Sequence, residues 1–114
     1  MDAREEAPRA VVVLITTPTE DAEGIAGAIL EAQLAACVNI VAAVRSLFWW
    51  QGSLEAQEES LLIVKSTAGA VERLTALVRT LHPYEVFELV ALPIEAGNPA
   101  YLDWIHSSVR PRAE

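Results

Sequence analysis

Leu47-Phe48-Trp49-Trp50-Gln51-Gly52-Ser53 holds the turn on which the fold reading depends. Gln51-Gly52-Ser53 is a turn signal of hairpin length. Val38 to Trp50 reads as the strand entering it, and Leu54 to Lys65 as the strand leaving it. Each arm is about ten residues or more, against ~5–6 for an ordinary strand, so the hairpin should project beyond a small domain's own sheet. Side chains alternate across a strand, which puts Phe48 and Trp50 on one face and Leu47 and Trp49 on the other. Both faces are therefore apolar. One can cover the domain's own helices. The other needs a partner, and the economical one is a second copy of the chain, with Phe48, Trp49 and Trp50 at the interface. Aromatic walls of a ligand groove are the alternative use.

Outward from the hairpin, Ala10 to Ile15 is a short, β-branched, unalternating apolar run, as expected of a central strand covered on both faces. Thr17-Pro18-Thr19-Glu20 offers a capping box with proline at the first helical position. A helix follows on Ala22, Ile25, Ala26, Ile29 and Gln33, ending near Ala36. After the hairpin, Ser66-Thr67 offers a cap for a second helix on Val71, Leu74, Leu77, Val78 and Leu81. Val86 to Leu92 reads as a fourth strand closed by Pro93. Asn98-Pro99 caps a terminal helix with Tyr101, Trp104, Ile105 and Val109 on one side. The order is strand, helix, strand, strand, helix, strand, terminal helix. It predicts an α+β, ferredoxin-like split βαβ unit over residues 10–110, with loose tails at 1–9 and 111–114.

Composition narrows the function classes. The chain has 114 residues, one domain's worth, and 53% are hydrophobic. That is apolar enough to imply a large core or surface buried against another subunit. A net charge of -8, from 8 basic and 16 acidic residues, argues against nucleic-acid binding. No apolar run approaches the ~20 residues that span a bilayer, and the N-terminus does not read as a signal peptide. The lone Cys37 cannot close an intrachain disulfide, so a reducing cytoplasm fits best.

His82-Pro83-Tyr84-Glu85 gathers an imidazole, a phenol and a carboxylate at a forced backbone break. Proline disfavours the α conformation in the residue before it, so His82 should end the second helix in an extended conformation. A helix C-terminus carries partial negative charge and suits a cation, whether imidazolium or metal. Helix capping by His82 and packing by Tyr84 explain the same residues without a ligand.

Taken together, several ordered motifs resemble the CutA family of divalent-cation tolerance proteins. They are Ala35-Ala36-Cys37-Val38-Asn39-Ile40, Phe48-Trp49-Trp50-Gln51-Gly52, Leu61-Leu62-Ile63-Val64-Lys65, His82-Pro83-Tyr84-Glu85, Ala91-Leu92-Pro93-Ile94 and Gly97-Asn98-Pro99-Ala100-Tyr101-Leu102-Asp103-Trp104-Ile105. The resemblance runs from about Val11 to Ile105. It implies a PII-like homotrimer with hairpin strands pairing between subunits, clefts between neighbours, and a link to copper and other divalent metals. It also implies that His82, Glu59 and Cys37 are the metal-ligating candidates, and that Lys65, Tyr84, Glu85, Tyr101 and Trp104 line the inter-subunit cleft. Ile15 stands where some bacterial members carry a cysteine, Phe87 where proline is frequent, Ser53 where lysine is, and Phe48 where tyrosine is.

For Cu2+ or another divalent cation, His82, Glu59, Glu85, Cys37 and His106 are the donors on offer. None of them forms a helical i,i+4 pair or a Cys-x-x-Cys. No nucleophile elbow, phosphate loop or dinucleotide fingerprint occurs, so the chain does not read as an enzyme. The leading expectation is a cytoplasmic, metal-binding, metal-tolerance trimer. The alternatives are a PII-like sensor that binds a small molecule in the cleft and signals to a protein partner, and a trimer whose stability is its main property.

Overall fold

A computed structural model describes residues 9–111. The expected tails at 1–9 and 111–114 lie outside the described residues except for Arg9 and Pro111. The elements are β1 (Ala10–Thr17), α1 (Ala22–Glu31), β2 (Cys37–Trp50), β3 (Ser53–Thr67), α2 (Val71–Leu81), β4 (Leu89–Pro93) and α3 (Pro99–Ser108). The strands form one sheet in the order β2-β3-β1-β4. Every pairing is antiparallel. This is the ferredoxin-like split βαβ order.

The core lies between the sheet and the helices. Val11, Val13 and Ile15 of β1 and Leu62 and Val64 of β3 point into it, against Ile25 and Ile29 of α1, Leu74 and Val78 of α2, and Ile105 of α3. Alternation then assigns Val12 and Leu14 to the opposite face of the sheet, where they are half-buried. The expectation that β1 is covered on both faces is corrected here. The helices of this chain cover one face only.

Register shows how far the hairpin extends. β1 pairs with β3 from Thr17↔Ser60 to Ala10↔Thr67, so β3 before Ser60 has no β1 beside it. β2 and β3, of 14 and 15 residues, continue together to Trp50↔Ser53. The described chain accordingly measures 48 × 25 × 25 Å. The turn is tighter than expected, with Gln51 and Gly52 alone between the last pair. Both have positive φ, 49° and 82°, as a twist-matched two-residue hairpin turn requires. Between Val41 and Val44 the register slips, so Ala42 and Ala43 oppose Ser60. Ser60 Oγ donates to the Ala42 carbonyl (2.9 Å) and holds this bulge closed.

Several boundaries differ from expectation for physical reasons. The capping box at Thr17 does not form. Thr17 is the last residue of β1, its hydroxyl donates to the Pro18 carbonyl (3.0 Å), and a 3-10 turn at Thr19–Asp21 precedes α1. α1 stops at Glu31, five residues before Ala36, because Gln33 enters the left-handed region at φ 57°. The Leu34 N–H then bonds the Ile29 carbonyl and the Gln33 N–H the Leu30 carbonyl, a Schellman closure. Arg110 reinforces it by donating its N–H to the Gln33 carbonyl (2.7 Å) and its guanidinium to Gln33 Oε1 (2.8 Å). Ser66 does not cap α2. It is buried in β3 and donates to the Leu34 carbonyl (2.6 Å). β4 begins at Leu89, three residues later than expected, and includes Pro93. That proline is tolerated because β4 is an edge strand. On α3, Leu102 joins Ile105 against the core, with Val109 just past the helix end, whereas Tyr101 and Trp104 are exposed. The Asn98 cap is present, accepting from the Ala100 N–H (3.0 Å) with Pro99 at the first turn.

Candidate functional site

Where β1 ends at Thr17, the segment after α2 takes its place beside β3. His82 ends α2 in an extended conformation (φ −77°, ψ 133°), and its N–H bonds the Val78 carbonyl. Proline at 83 enforces that conformation and turns the chain across the end of β1. The His82 ring is 7% exposed. Its Nε2 lies 2.8 Å from the Thr16 carbonyl oxygen, and its Nδ1 accepts from the Tyr84 N–H (3.1 Å). Phe87 stacks on the ring at 5.0 Å and 15°, Tyr84 leans on it at 4.8 Å, and the Arg79 guanidinium lies over the Phe87 ring, 5.8 Å from its centroid.

The Tyr84 hydroxyl donates to Glu59 Oε2 (3.2 Å) and accepts from Gln57 Nε2 (2.8 Å). Glu59 is 4% exposed. Gln57 and Glu59 share a face of β3 because they are two residues apart. Burial is the first cause that holds the Tyr84 phenol above the ordinary tyrosine range of about 10, followed by the charge of Glu59 and the hydrogen bond to it. The phenol therefore stays a protonated donor at neutral pH.

These residues form one wall of a groove of about 910 Å³ between the hairpin and the segment after His82. Glu55, Glu59, Glu85 and Glu88 line it, with Arg45 as the one basic group among the described residues, and Phe48, Trp49 and Trp50 line its hairpin end. Tyr84 and Glu85 are thus in the groove. Lys65, Tyr101 and Trp104 do not line it within the chain. Lys65 bonds Asn39 Oδ1 on the neighbouring strand, and Tyr101 and Trp104 pack on each other at 5.4 Å.

Cys37 lies opposite Lys65 in the β2–β3 register, with Asn39 Oδ1 3.8 Å from its thiol. It stands six residues along β3 from the level of Glu59, roughly 20 Å at strand rise. His82 and Glu59 come together through Tyr84, and Cys37 does not join them within the chain. His106 is exposed on α3. Among the described residues no three His, Cys, Asp or Glu side chains cluster as a cation cage. Both His82 nitrogens already have partners. Within this chain the His82, Glu59 and Cys37 set therefore does not fit a shared metal ion.

Three features had no reading in sequence terms. Thr16 meets His82 through its backbone, which no side-chain pattern reports. Gln57 was legible in principle from its spacing of two to Glu59. The helix-free face of the sheet carries Val41, Leu61, Ile63, Val12, Leu14, Val90 and Leu92 in adjacent strands. The unbroken run Leu61-Leu62-Ile63-Val64, apolar at both parities, was its signal.

A four-stranded ferredoxin-like sheet, helices on one face and a hairpin carried far past the sheet define an α+β class of domain. Within that class the chain belongs to the CutA1 divalent ion tolerance protein family, whose model matches residues 11–108. It is 51% identical to the divalent-cation tolerance protein CutA of Thermus thermophilus over 98 residues, covering 85% of this chain and 95% of that protein. The solved Thermus structure superposes with a TM-score of 0.87 at 49% identity, covering 89% of this chain and 99% of that one. The crystal structure of CutA1 from Oryza sativa gives 0.89 at 41% identity, covering 93% of this chain and 97% of that one. The chain spans 52% of the length of mouse Protein CutA, to which it is 46% identical over 93 residues that make up 81% of this chain. It spans 63% of the length of the rice protein named chloroplastic, at 40% identity over 96% of this chain. No helix among the described residues is long and apolar enough to cross a membrane.

Proposed function

We propose that the chain works as a homotrimer in divalent-cation tolerance, with the acidic groove as the surface that meets the ion. The observation that carries the trimer is the pair of uncovered apolar surfaces. Trp49 is 74% exposed, with Leu47, Phe48, Trp50 and Leu54 around it. The second surface is the helix-free sheet face, where Val90 and Leu92 are exposed. Apolar area on this scale in a small chain is normally buried against another copy. Three-fold closure is the arrangement that the family resemblance implies, and it would wall each groove with a neighbour's residues.

The ion reading rests on the groove's carboxylates. Oxygen donors suit divalent cations in general, Cu2+ included, and the wall of a second subunit could complete a ligand set that one chain lacks. The ion is cargo in this reading, not a resident cofactor, and the chain has no enzymatic role. A cytoplasmic site of action belongs to the same proposal. The aromatic rim supports a second reading, a PII-like sensor that takes a small molecule in the inter-subunit cleft.

Native mass spectrometry during a Cu(II) titration tests the primary reading. The expected result is a trimer that takes one ion per subunit, lost in Glu59→Gln. Equal, diffuse uptake by both proteins means adsorption to acidic surface and moves the cleft sensor ahead. A monomer at micromolar concentration removes the trimer.

A further inference from the structure

The ring of His82 has a backbone partner at each nitrogen. A neutral imidazole has one N–H donor and one lone-pair acceptor. Here the partners leave no freedom in assigning them, because both are backbone atoms of fixed role. The Thr16 carbonyl can only accept, so Nε2 carries the hydrogen. The Tyr84 N–H can only donate, so Nδ1 carries the lone pair. A metal needs that lone pair. Ligation through Nδ1 would evict the Tyr84 amide. Ligation through Nε2 would require the other tautomer and leave both backbone groups unpaired where the ring is almost fully buried. Phe87 stacked on the ring and Tyr84 tilted against it also restrain rotation of the ring out of the site.

The two bonds span a large part of the chain. Thr16 lies 66 positions before His82. Tyr84, held at its amide by His82, reaches back to Glu59 and Gln57 on β3. Removing the ring would release the segment after Pro83 from the end of β1 and the phenol from the carboxylate with it.

We infer that His82 is a positioning residue, not a metal ligand. As the neutral Nε2–H tautomer it buckles the Tyr84 segment to the end of β1, and cations in the groove are held by oxygen donors with Glu59 foremost. The second half of this statement rests on the ion reading above. The first half does not.

The chain has only two histidines, which makes the test direct. In a His106→Gln background with 15N-labelled histidine, only His82 is observed by nitrogen NMR. Without metal, the expected pattern is one pyridine-type nitrogen (Nδ1) and one pyrrole-type nitrogen (Nε2) with a slowly exchanging proton. An averaged imidazole, or a proton on Nδ1, overturns the buckle. Diamagnetic Zn2+ is then titrated into the same sample while calorimetry follows binding. The His82 pattern should remain unchanged as the site saturates. A stoichiometric shift of the Nδ1 signal overturns the inference and makes His82 a ligand. Total absence of zinc binding sinks the ion reading, and the metal-free pattern still decides the buckle.

Substitution supplies the second readout. His82→Gln keeps an N–H donor toward Thr16 but has no imidazole lone pair, and should bind zinc within about threefold of the parent, the cost of one imperfect neutral hydrogen bond. His82→Ala removes both bonds and should weaken zinc binding by about 10-fold or more, as lost orientation of a ligand does. Equal loss in both variants would overturn the positioning role.

Discussion

From Ser60 to Lys65, β3 runs between β1 and β2 beneath the helices, and Leu62 and Val64 are fully buried. From Ser53 to Glu58 the same strand has β2 as its one strand partner, and Leu54 is 62% exposed. Leucines on one continuous strand thus have opposite surroundings. The difference comes from where β1 stops. Up to Thr17 there is a third strand and a helical layer to bury against, and beyond it there is none. One half of β3 is core by its own chain's resources. The other half is apolar surface that only another molecule can cover.

The comparison is broken most severely from the buried side. Leu62→Ala leaves a hole under the helices and should cost about 2–5 kcal/mol of folding stability. A denaturant titration at constant oligomeric state measures it. On the hairpin side, Trp49→Asp should leave the subunit fold intact and weaken assembly by about 2–4 kcal/mol, the loss expected of a central aromatic anchor. Sedimentation across a dilution series reads this as dissociation at higher concentration with unchanged circular dichroism. Unchanged assembly would mean that the hairpin is not the interface.

The junction between the halves is sharpened by Ser60→Ala, which removes the bond closing the bulge at Ala42. The expected loss is about 1 kcal/mol, read as a shift in denaturant midpoint with little change in its slope. The smallest effect concerns Tyr84. Its folded pKa is raised above its unfolded value of about 10. The corresponding stability is fully present below the unfolded value and is lost as pH rises through the folded one. Tyr84→Phe should therefore flatten the alkaline limb of the stability profile and leave the neutral region's slope unchanged.

Legibility followed the range of the interactions. The hairpin could be read because Gln51-Gly52 sets its own turn geometry. The stop at His82 could be read because Pro83 restricts its neighbour. The Asn98 cap could be read because its acceptor is two residues from its donor. The capping box at Thr17 was a false signal of the same local kind, overridden because pairing with Ser60 keeps Thr17 in the sheet. In the site, the proximity of Tyr84 to His82 was legible and that of Glu59 was not, except through family resemblance.

The sequence by itself determined the order of elements, the length of the hairpin, the break after α2 and the excess of apolar residues. Steric restriction and side-chain period act within a few residues and do not wait for the fold. Only the tertiary structure decided which face of β1 is covered and where β3 loses its neighbour. It also decided that both nitrogens of His82 are occupied and that Cys37 is far from Glu59. Those outcomes depend on strand register and on backbone atoms from positions up to 66 residues apart, and residue type alone carries no record of either.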